Sequence, residues 1–98
     1  MIVRIVKLTL QPGKKAEFAR LFEEVSQAIR DFPGCQAVEL LEDTSDDHIL
    51  FTISKWQTAN DLENYRKSVL FNGTWVKVKE LFASRAEAWS LESINTKP

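Results

Sequence analysis

The stretch CQAVELLEDTSDDHILFTISKW, residues 35–56, decides the fold. Two runs rich in apolar residues, 35–42 and 48–56, flank the polar segment DTSDD at residues 43–47. Short polar side chains of this kind bond their own backbone in turns. The stretch therefore predicts a β-hairpin made of two strands.

The residues before this hairpin predict a strand and then a helix. Residues 2–10 are mostly apolar, and the strand they predict ends at Pro12, because proline cannot continue a strand ladder. Residues 14–32 predict a helix that ends before Pro33-Gly34. Its apolar residues recur at helical spacing and form one stripe, which consists of Phe18, Leu21, Phe22, Val25, Ile29 and Phe32.

The residues after the hairpin predict a broken helical stretch and a last strand. Thr58 has the side chain of a helix N-cap. The helical pattern that follows is interrupted at Asn72-Gly73, which predicts two short helices joined there. Residues 83–93 predict the final strand, and residues 95–98 a frayed tail.

The predicted order is β-α-β-β-α-β, the split arrangement of the ferredoxin-like α+β fold with a four-stranded antiparallel sheet. The length of 98 residues indicates a single domain over residues 1–98. In this fold both crossovers cover one face of the sheet. The strands nevertheless carry apolar residues on both faces, for example Leu50 opposite Phe51. An apolar face left in water favours association, so we expect a homodimer that packs through the sheet.

The composition excludes several classes of function. A net charge of −1 argues against a protein that binds nucleic acid or a membrane surface through basic residues. With one cysteine, Cys35, the chain has no internal disulfide and no cysteine-rich zinc site, and we expect no metal. It has no apolar run of transmembrane length and no signal peptide, so we expect a cytoplasmic location.

Four residues near the break in the second crossover are candidates for a ligand site, because two short helices leave a gap over the sheet. They are Trp56, Tyr65, Asn72 and Trp75. Aromatic walls with a few polar groups suit a small apolar ligand. The alternative is that the three aromatic residues belong to an ordinary core.

Several segments resemble the antibiotic biosynthesis monooxygenase family. They are LTLQPGK (8–14), FPGC (32–35), ISKWQT (53–58), Tyr65 and SVLFNGTW (68–75). The resemblance spans about residues 3–91 and implies a dimeric α/β barrel with a cleft in each subunit. It also implies oxidation of an aromatic or quinol-like substrate by dioxygen without metal, flavin or other cofactor. The protein then binds the substrate, shields it from water and stabilises its anion.

A second branch of this family degrades haem with an Asn, a Trp and a His. The aligned residues here are Val6, Tyr65 and Trp75. All three depart from the pattern, and Trp75 cannot ligate iron, so we disfavour haem degradation.

For the oxygenase that the resemblance implies, Tyr65 and Asn72 are the candidate catalytic residues, because a phenol and an amide can donate to a substrate oxyanion. Trp56 and Trp75 would stack on a planar substrate. Arg66 would stabilise an anion if its side chain turned inward, but it is expected to face water, as charged helical residues usually do. His48 lies beside the polar turn and is expected to be solvated, and Cys35 to be a small buried strand residue.

Three hypotheses remain open at this point. The first is an oxygenase of aromatic substrates, the second a dimer that binds a small molecule without converting it, and the third a structural dimer with a filled core.

Overall fold

The computed structural model describes residues 1–94. Its elements follow the predicted order, with two helices in the second crossover. They are β1 Ile2–Thr9, α1 Lys15–Arg30, β2 Cys35–Glu42, β3 Ile49–Trp56, α2 Ala59–Arg66, α3 Val69–Val78 and β4 Glu87–Glu92, with a 3-10 turn over Lys79–Leu81. The tail predicted at residues 95–98 lies outside the described residues.

The four strands form one antiparallel sheet in the order β2-β3-β1-β4. The first strand therefore lies inside the sheet, between the second strand of the hairpin and the last strand of the chain. In the register, Ile5 pairs with Ile53 on β3 and with Trp89 on β4. This topology confirms the predicted ferredoxin-like α+β fold.

The two faces of the sheet differ in what covers them. Arg4, Val6 and Leu8 point to the helices, since alternate residues of a strand share a face. The apolar sheet face lies on the other side. We define it by Val3, Ile5, Phe51, Ile53, Trp89 and Leu91, which the register brings together. No described helix covers this face, and Trp89 and Leu91 remain 44% and 48% exposed.

The core lies between the helices and the sheet. Its buried cluster consists of Leu8, Leu10, Phe18, Leu50, Val78 and Leu81. Phe18 and Ile29 of the predicted helical stripe are buried, so α1 packs on the sheet by the expected side. Within residues 1–94, none of the helices combines the length and the apolar character needed to cross a membrane.

The break in the second crossover lies at Ser68, so the predicted break at Asn72-Gly73 was wrong. Ser68 has extended backbone angles, and its hydroxyl oxygen accepts a hydrogen bond from the Phe71 amide at 3.1 Å. The same hydroxyl donates to the Tyr65 carbonyl at 2.6 Å. Serine thus ends one helix and caps the next, while Gly73 lies inside α3.

Other boundaries differ by a few residues. The predicted N-cap at Thr58 is confirmed, because its side chain accepts from the Asp61 amide. The last strand begins at Glu87, four residues after the predicted start at Ala83. The Ala83 amide instead donates to the Thr9 carbonyl at 2.8 Å. The residues before β4 thus follow the end of β1 without joining the regular ladder.

Gly34 provides a test of this fold. Its φ is +88°, and a Cβ at this position would overlap the Asp61 side chain next to the Thr58 cap. Gly13 has a similar φ of +78°, but nothing lies within 4 Å of its Cβ position. We expect Gly13→Ala to lower the free energy of unfolding by about 1–2 kcal/mol, because of the backbone conformation alone. Gly34→Ala should lower it by roughly 1–3 kcal/mol more, because the new Cβ would also overlap the Asp61 side chain. Urea unfolding of both variants measures the difference, and equal losses would contradict the close approach of Gly34 to α2.

Candidate functional site

A cavity of about 340 Å³ lies between the helices and the covered face of the sheet. Its walls are mainly apolar side chains from α1, the four strands, α2 and α3. The polar or charged side chains that line it are Arg4, Thr52, Ser54, Tyr65, Arg66 and Thr74. A volume of this order suits a small organic molecule. The cavity argues against the third hypothesis, in which the core is filled.

Six aromatic side chains form a continuous row along the helical side, which we call the aromatic row. Its members in order of contact are Phe32, Trp56, Tyr65, Phe71, Trp75 and Phe82. The ring centroids of successive members lie 4.8–6.3 Å apart. These distances are those of stacked and edge-to-face aromatic pairs, which stabilise a structure beyond the area they bury. The row therefore fixes the positions of the rings that reach the cavity.

Trp56 lies behind the cavity wall, although the resemblance implied that it stacks on a substrate. Its side chain is 0% exposed, and its indole Nε1 donates to the Ser54 hydroxyl at 2.9 Å. The ring stacks on Tyr65 with a centroid distance of 4.8 Å and an interplanar angle of 26°. Because Tyr65 lies on this ring, Trp56 holds the phenol and does not itself line the cavity.

Tyr65 lines the cavity from the last turn of α2. Burial, with a smaller contribution from nearby Cys35, raises the pKa of the phenol to about 12. No hydrogen bond within residues 1–94 uses the Tyr65 hydroxyl, and no fully buried side-chain oxygen there lacks a partner, so this hydroxyl is reached by solvent. At neutral pH it is therefore a protonated donor that a bound ligand can use.

Trp75 and Asn72 are both on α3 but differ in what they contact. Trp75 lines the cavity and stacks on Phe71 at 5.7 Å with an interplanar angle of 11°. Asn72 is exposed and does not line the cavity. Its side-chain amide donates to the Ser68 carbonyl at 3.0 Å, at the start of the same helix. The structure thus brings Tyr65 and Trp75 together at the cavity and leaves Asn72 outside it.

Arg4 and Arg66 are cavity residues that the sequence analysis did not identify. Arg4 belongs to the predicted first strand, where it was given no role in a site. Arg66 was expected to face water, and its side chain is 45% exposed although it also lines the cavity. The sequence did contain one signal for Arg4. Its position in the strand puts it on the same face as Val6 and Leu8, which is the face that the helices cover.

The donor set of the cavity does not fit a haem. No His, Cys or Met lines it, and the phenol of Tyr65 is held in its protonated form. His48 lies beside the polar turn, where its amide donates to the Asp46 carboxylate at 2.8 Å. Among the residues that the structure describes, no His, Cys, Asp and Glu side chains are grouped as a metal site requires.

Cys35 does not line the cavity, and burial raises the pKa of its thiol. A raised pKa disfavours the thiolate, which is the nucleophilic form. Its thiol donates to the Ala37 carbonyl at 3.6 Å, close to the irregularity in the pairing of β2 with β3. These features match a structural strand residue.

The comparison with known structures agrees with the fold. A conserved protein from Methanosarcina mazei Go1 superposes with a TM-score of 0.89 and 19% identity, over 96% of this chain and 94% of that one. A candidate antibiotic biosynthesis monooxygenase from Nitrosomonas europaea has a TM-score of 0.88 and 15% identity, over 96% and 99% of the two chains. A protein from Mycobacterium tuberculosis has a TM-score of 0.87 and 16% identity, over 99% and 98%. At these identities the likeness extends to the fold alone.

The comparison by sequence identifies the family. No protein of curated function matches the chain. The sequence pattern of the family described as antibiotic biosynthesis monooxygenase matches residues 1–74, which include β1, the hairpin, Tyr65 and the first half of α3. With its fold, its cavity and this match, the chain belongs to the antibiotic biosynthesis monooxygenase family.

Proposed function

We propose that the protein is a monooxygenase that binds a small aromatic, quinol-like molecule in the cavity and oxidises it with dioxygen, without metal, flavin or other cofactor. Family membership supports the oxygenase class. The observation that carries the proposal for this site is Tyr65, a protonated phenol with an accessible hydroxyl in an aromatic-walled cavity of about 340 Å³.

In this proposal Tyr65 stabilises negative charge on the substrate. Its hydroxyl donates a hydrogen bond to the oxygen on which charge develops when the substrate is deprotonated. A donor fixed in an apolar site stabilises such an oxyanion more strongly than water does. The stack of Trp56 on the phenol fixes the orientation of this donor. Trp56 is therefore a positioning residue, and Asn72 has no role in the proposal because it lies outside the cavity.

Trp75 supplies the binding surface for the ring of the substrate. Its indole lines the cavity and is held by Phe71 on one side and Phe82 on another. An aromatic ligand gains dispersion and stacking energy against such a wall. The apolar residues around it reduce the water content of the site, which strengthens the hydrogen bond from Tyr65.

The reaction is balanced without an external reductant. A hydroquinone and dioxygen give a hydroxyquinone and water, in which one oxygen atom enters the ring and the other leaves with two hydrogens. The hydroquinone supplies all the electrons. Among the residues that the structure describes, no carboxylate or imidazole side chain that would act as a base lines the cavity. In this proposal the substrate loses its proton to water, and the hydrogen bond from Tyr65 favours this step because it stabilises the anion.

A dimer that binds a small molecule without converting it is the second candidate. The same cavity supports it, since the apolar walls and the Tyr65 donor would also retain a ligand that does not react with oxygen. Saturable binding without product formation distinguishes this function from the oxygenase.

We further propose that the chain is one domain over residues 1–98, that it is cytoplasmic, and that it acts as a homodimer. The apolar sheet face supports the dimer, because two copies packed face to face remove it from water. Neither nucleic acid nor membrane is a proposed partner.

The oxygenase is tested by oxygen uptake with a panel of hydroquinones, with hydroxyquinone and peroxide measured as products. We expect turnover without stoichiometric peroxide. Tyr65→Phe should reduce kcat by about a hundredfold, because it removes an oxyanion donor. Trp75→Ala should mainly weaken substrate binding. Val76→Ala, on the exposed side of the same helix, is the matched control and should behave as the unsubstituted protein. Uptake that yields only peroxide, or unchanged rates in both cavity variants, would contradict the proposal.

The raised pKa of Tyr65 predicts how the protein responds to alkaline pH. Tyr65 is the one tyrosine of the chain, so the tyrosinate absorbance of the folded protein reports it alone. We expect a midpoint near 12 in place of 10. The unfolded chain releases this proton first, so folding stability should fall as pH rises from 10 to about 12, by up to about 3 kcal/mol. Tyr65→Phe should lack this component of the stability profile, and a midpoint at 10 would refute the buried phenol.

The homodimer is tested at the centre of the apolar sheet face, where Ile5 pairs with Ile53 and Trp89. Ile5→Lys places a charge there and should shift the protein from dimer to monomer in sedimentation experiments. Ala28→Lys introduces the same charge on the exposed side of α1 and should leave the dimer intact. A monomeric unsubstituted protein at micromolar concentration, or a dimer that tolerates Ile5→Lys, would count against this interface.

A further inference from the structure

The charged residues that line the cavity are all of one sign. Arg4 reaches it from β1 and Arg66 from the end of α2, and among residues 1–94 no Asp or Glu side chain is part of the lining. The rest of the wall is apolar or carries neutral hydroxyl groups. A cavity of this kind presents positive charge at one place and hydrocarbon elsewhere.

Arg4 has little charge compensation. It is half-buried, and its guanidinium Nη1 donates to the Ser90 hydroxyl at 2.9 Å. Within residues 1–94, no carboxylate lies within ion-pair distance of it. Burial and the nearby charge of Arg66 lower the pKa of Arg4, and the Glu63 carboxylate offsets part of this effect. Because an arginine stays protonated, the side chain keeps its charge and most of its donors remain available.

Arg66 is only weakly neutralised. Its Nη1 lies 3.6 Å from a Glu63 oxygen, and Lys67 contacts the other oxygen of the same carboxylate at 3.7 Å. The Arg66 and Glu63 side chains are 45% and 48% exposed, so water screens this ion pair and the interaction between the two charges is weak. The Glu63 carboxylate is thus shared between two cations, Arg66 and Lys67.

We propose that the substrate is an aromatic molecule with a carboxylate, ionised at neutral pH, which Arg4 and Arg66 bind in the cavity while its ring lies against Trp75. This inference rests on the proposed function, since it takes the cavity as the substrate site. A guanidinium presents parallel donors that match the two oxygens of a carboxylate. Two guanidiniums that repel one another in the empty site are both stabilised when an anion binds between them.

The distribution of donors fits a substrate with two polar ends. The arginines bind the carboxylate, and the Tyr65 hydroxyl remains for the phenolic oxygen that becomes charged during the reaction. The carboxylate also fixes the direction in which the ring enters. This places a defined ring position at Tyr65, as selective oxygenation of one carbon requires.

The experiment compares naphthoate with its uncharged methyl ester, which has the same ring system. Binding to the full chain is followed by calorimetry at low and high salt. We expect naphthoate to bind roughly ten- to a hundredfold more tightly than the ester, as charge-assisted hydrogen bonds provide. This preference should shrink at high salt, because the charges are partly exposed.

The variants are Arg4→Gln and Arg66→Gln, with Arg20→Gln as the matched control on the exposed side of α1. Each cavity variant should lose about tenfold or more in naphthoate affinity and keep its affinity for the ester. Arg20→Gln should bind both as the unsubstituted protein does. Arg66 is on the surface, so its variant tests the inference even where Arg4→Gln perturbs folding.

The outcomes separate this inference from the proposed function. Equal affinity for acid and ester, or unchanged naphthoate affinity in both cavity variants, overturns the carboxylate site while oxygen uptake with neutral hydroquinones still supports the oxygenase. A carboxylate preference that depends on the arginines supports the inference, and absence of oxygen uptake then counts against the oxygenase alone. If neither compound binds, the cavity is not a site for aromatic acids and the inference fails.

Discussion

The register of β1 is the constraint on which the rest of the structure depends. This strand lies between β3 and β4, so its alternation sets the two faces of the whole sheet. A slip of one residue would exchange the faces, moving Val6 and Leu8 out of the core and Ile5 into it. Arg4 would leave the cavity at the same time. The hydrophobic residues of β1 therefore fix both the core and the position of the Arg4 guanidinium in the cavity.

The second requirement of the site is the division of the crossover into two helices. Ser68 ends α2 after Tyr65 and starts α3 before Phe71 and Trp75, with hydrogen bonds to both helices. One long helix would direct these rings along a single stripe. The turn at Ser68 instead lets Tyr65 and Phe71 meet edge to face at 5.3 Å. The aromatic row is continuous because of this turn, and the row in turn holds the Tyr65 phenol at the cavity wall.

The fold was largely predictable from sequence because its signals are local. β2 occupies the predicted residues 35–42, where Pro33-Gly34 precedes it and an Asp-rich turn follows. The break in the crossover was misplaced because Asn72-Gly73 is a strong turn signal in isolation. Ser68 instead makes the break through hydrogen bonds to the Tyr65 carbonyl and the Phe71 amide, which form only once both helices are in place. Local composition does not contain that information.

The site was predictable only in part, and the reason is packing in three dimensions. Tyr65 and Trp75 were identified from their position near a helix break, and both line the cavity. Trp56 and Asn72 lie as near in sequence, yet one is covered by Tyr65 and the other bonds its own helix. Arg4 and Arg66 are distant in sequence, and their charges act on one another only in the folded chain. No periodicity within one element reports such a pairing.

The three tryptophans give this small protein an internal set of fluorescent reporters. Trp56 is 0% exposed in the core, Trp75 forms part of the cavity wall, and Trp89 is 44% exposed on the sheet face. Trp56 is therefore placed to report unfolding, Trp75 to report binding of the proposed ligand, and Trp89 to report the proposed contact between subunits. Fluorescence from variants that retain a single tryptophan would follow each process separately. It would show the order in which folding, subunit association and ligand binding occur.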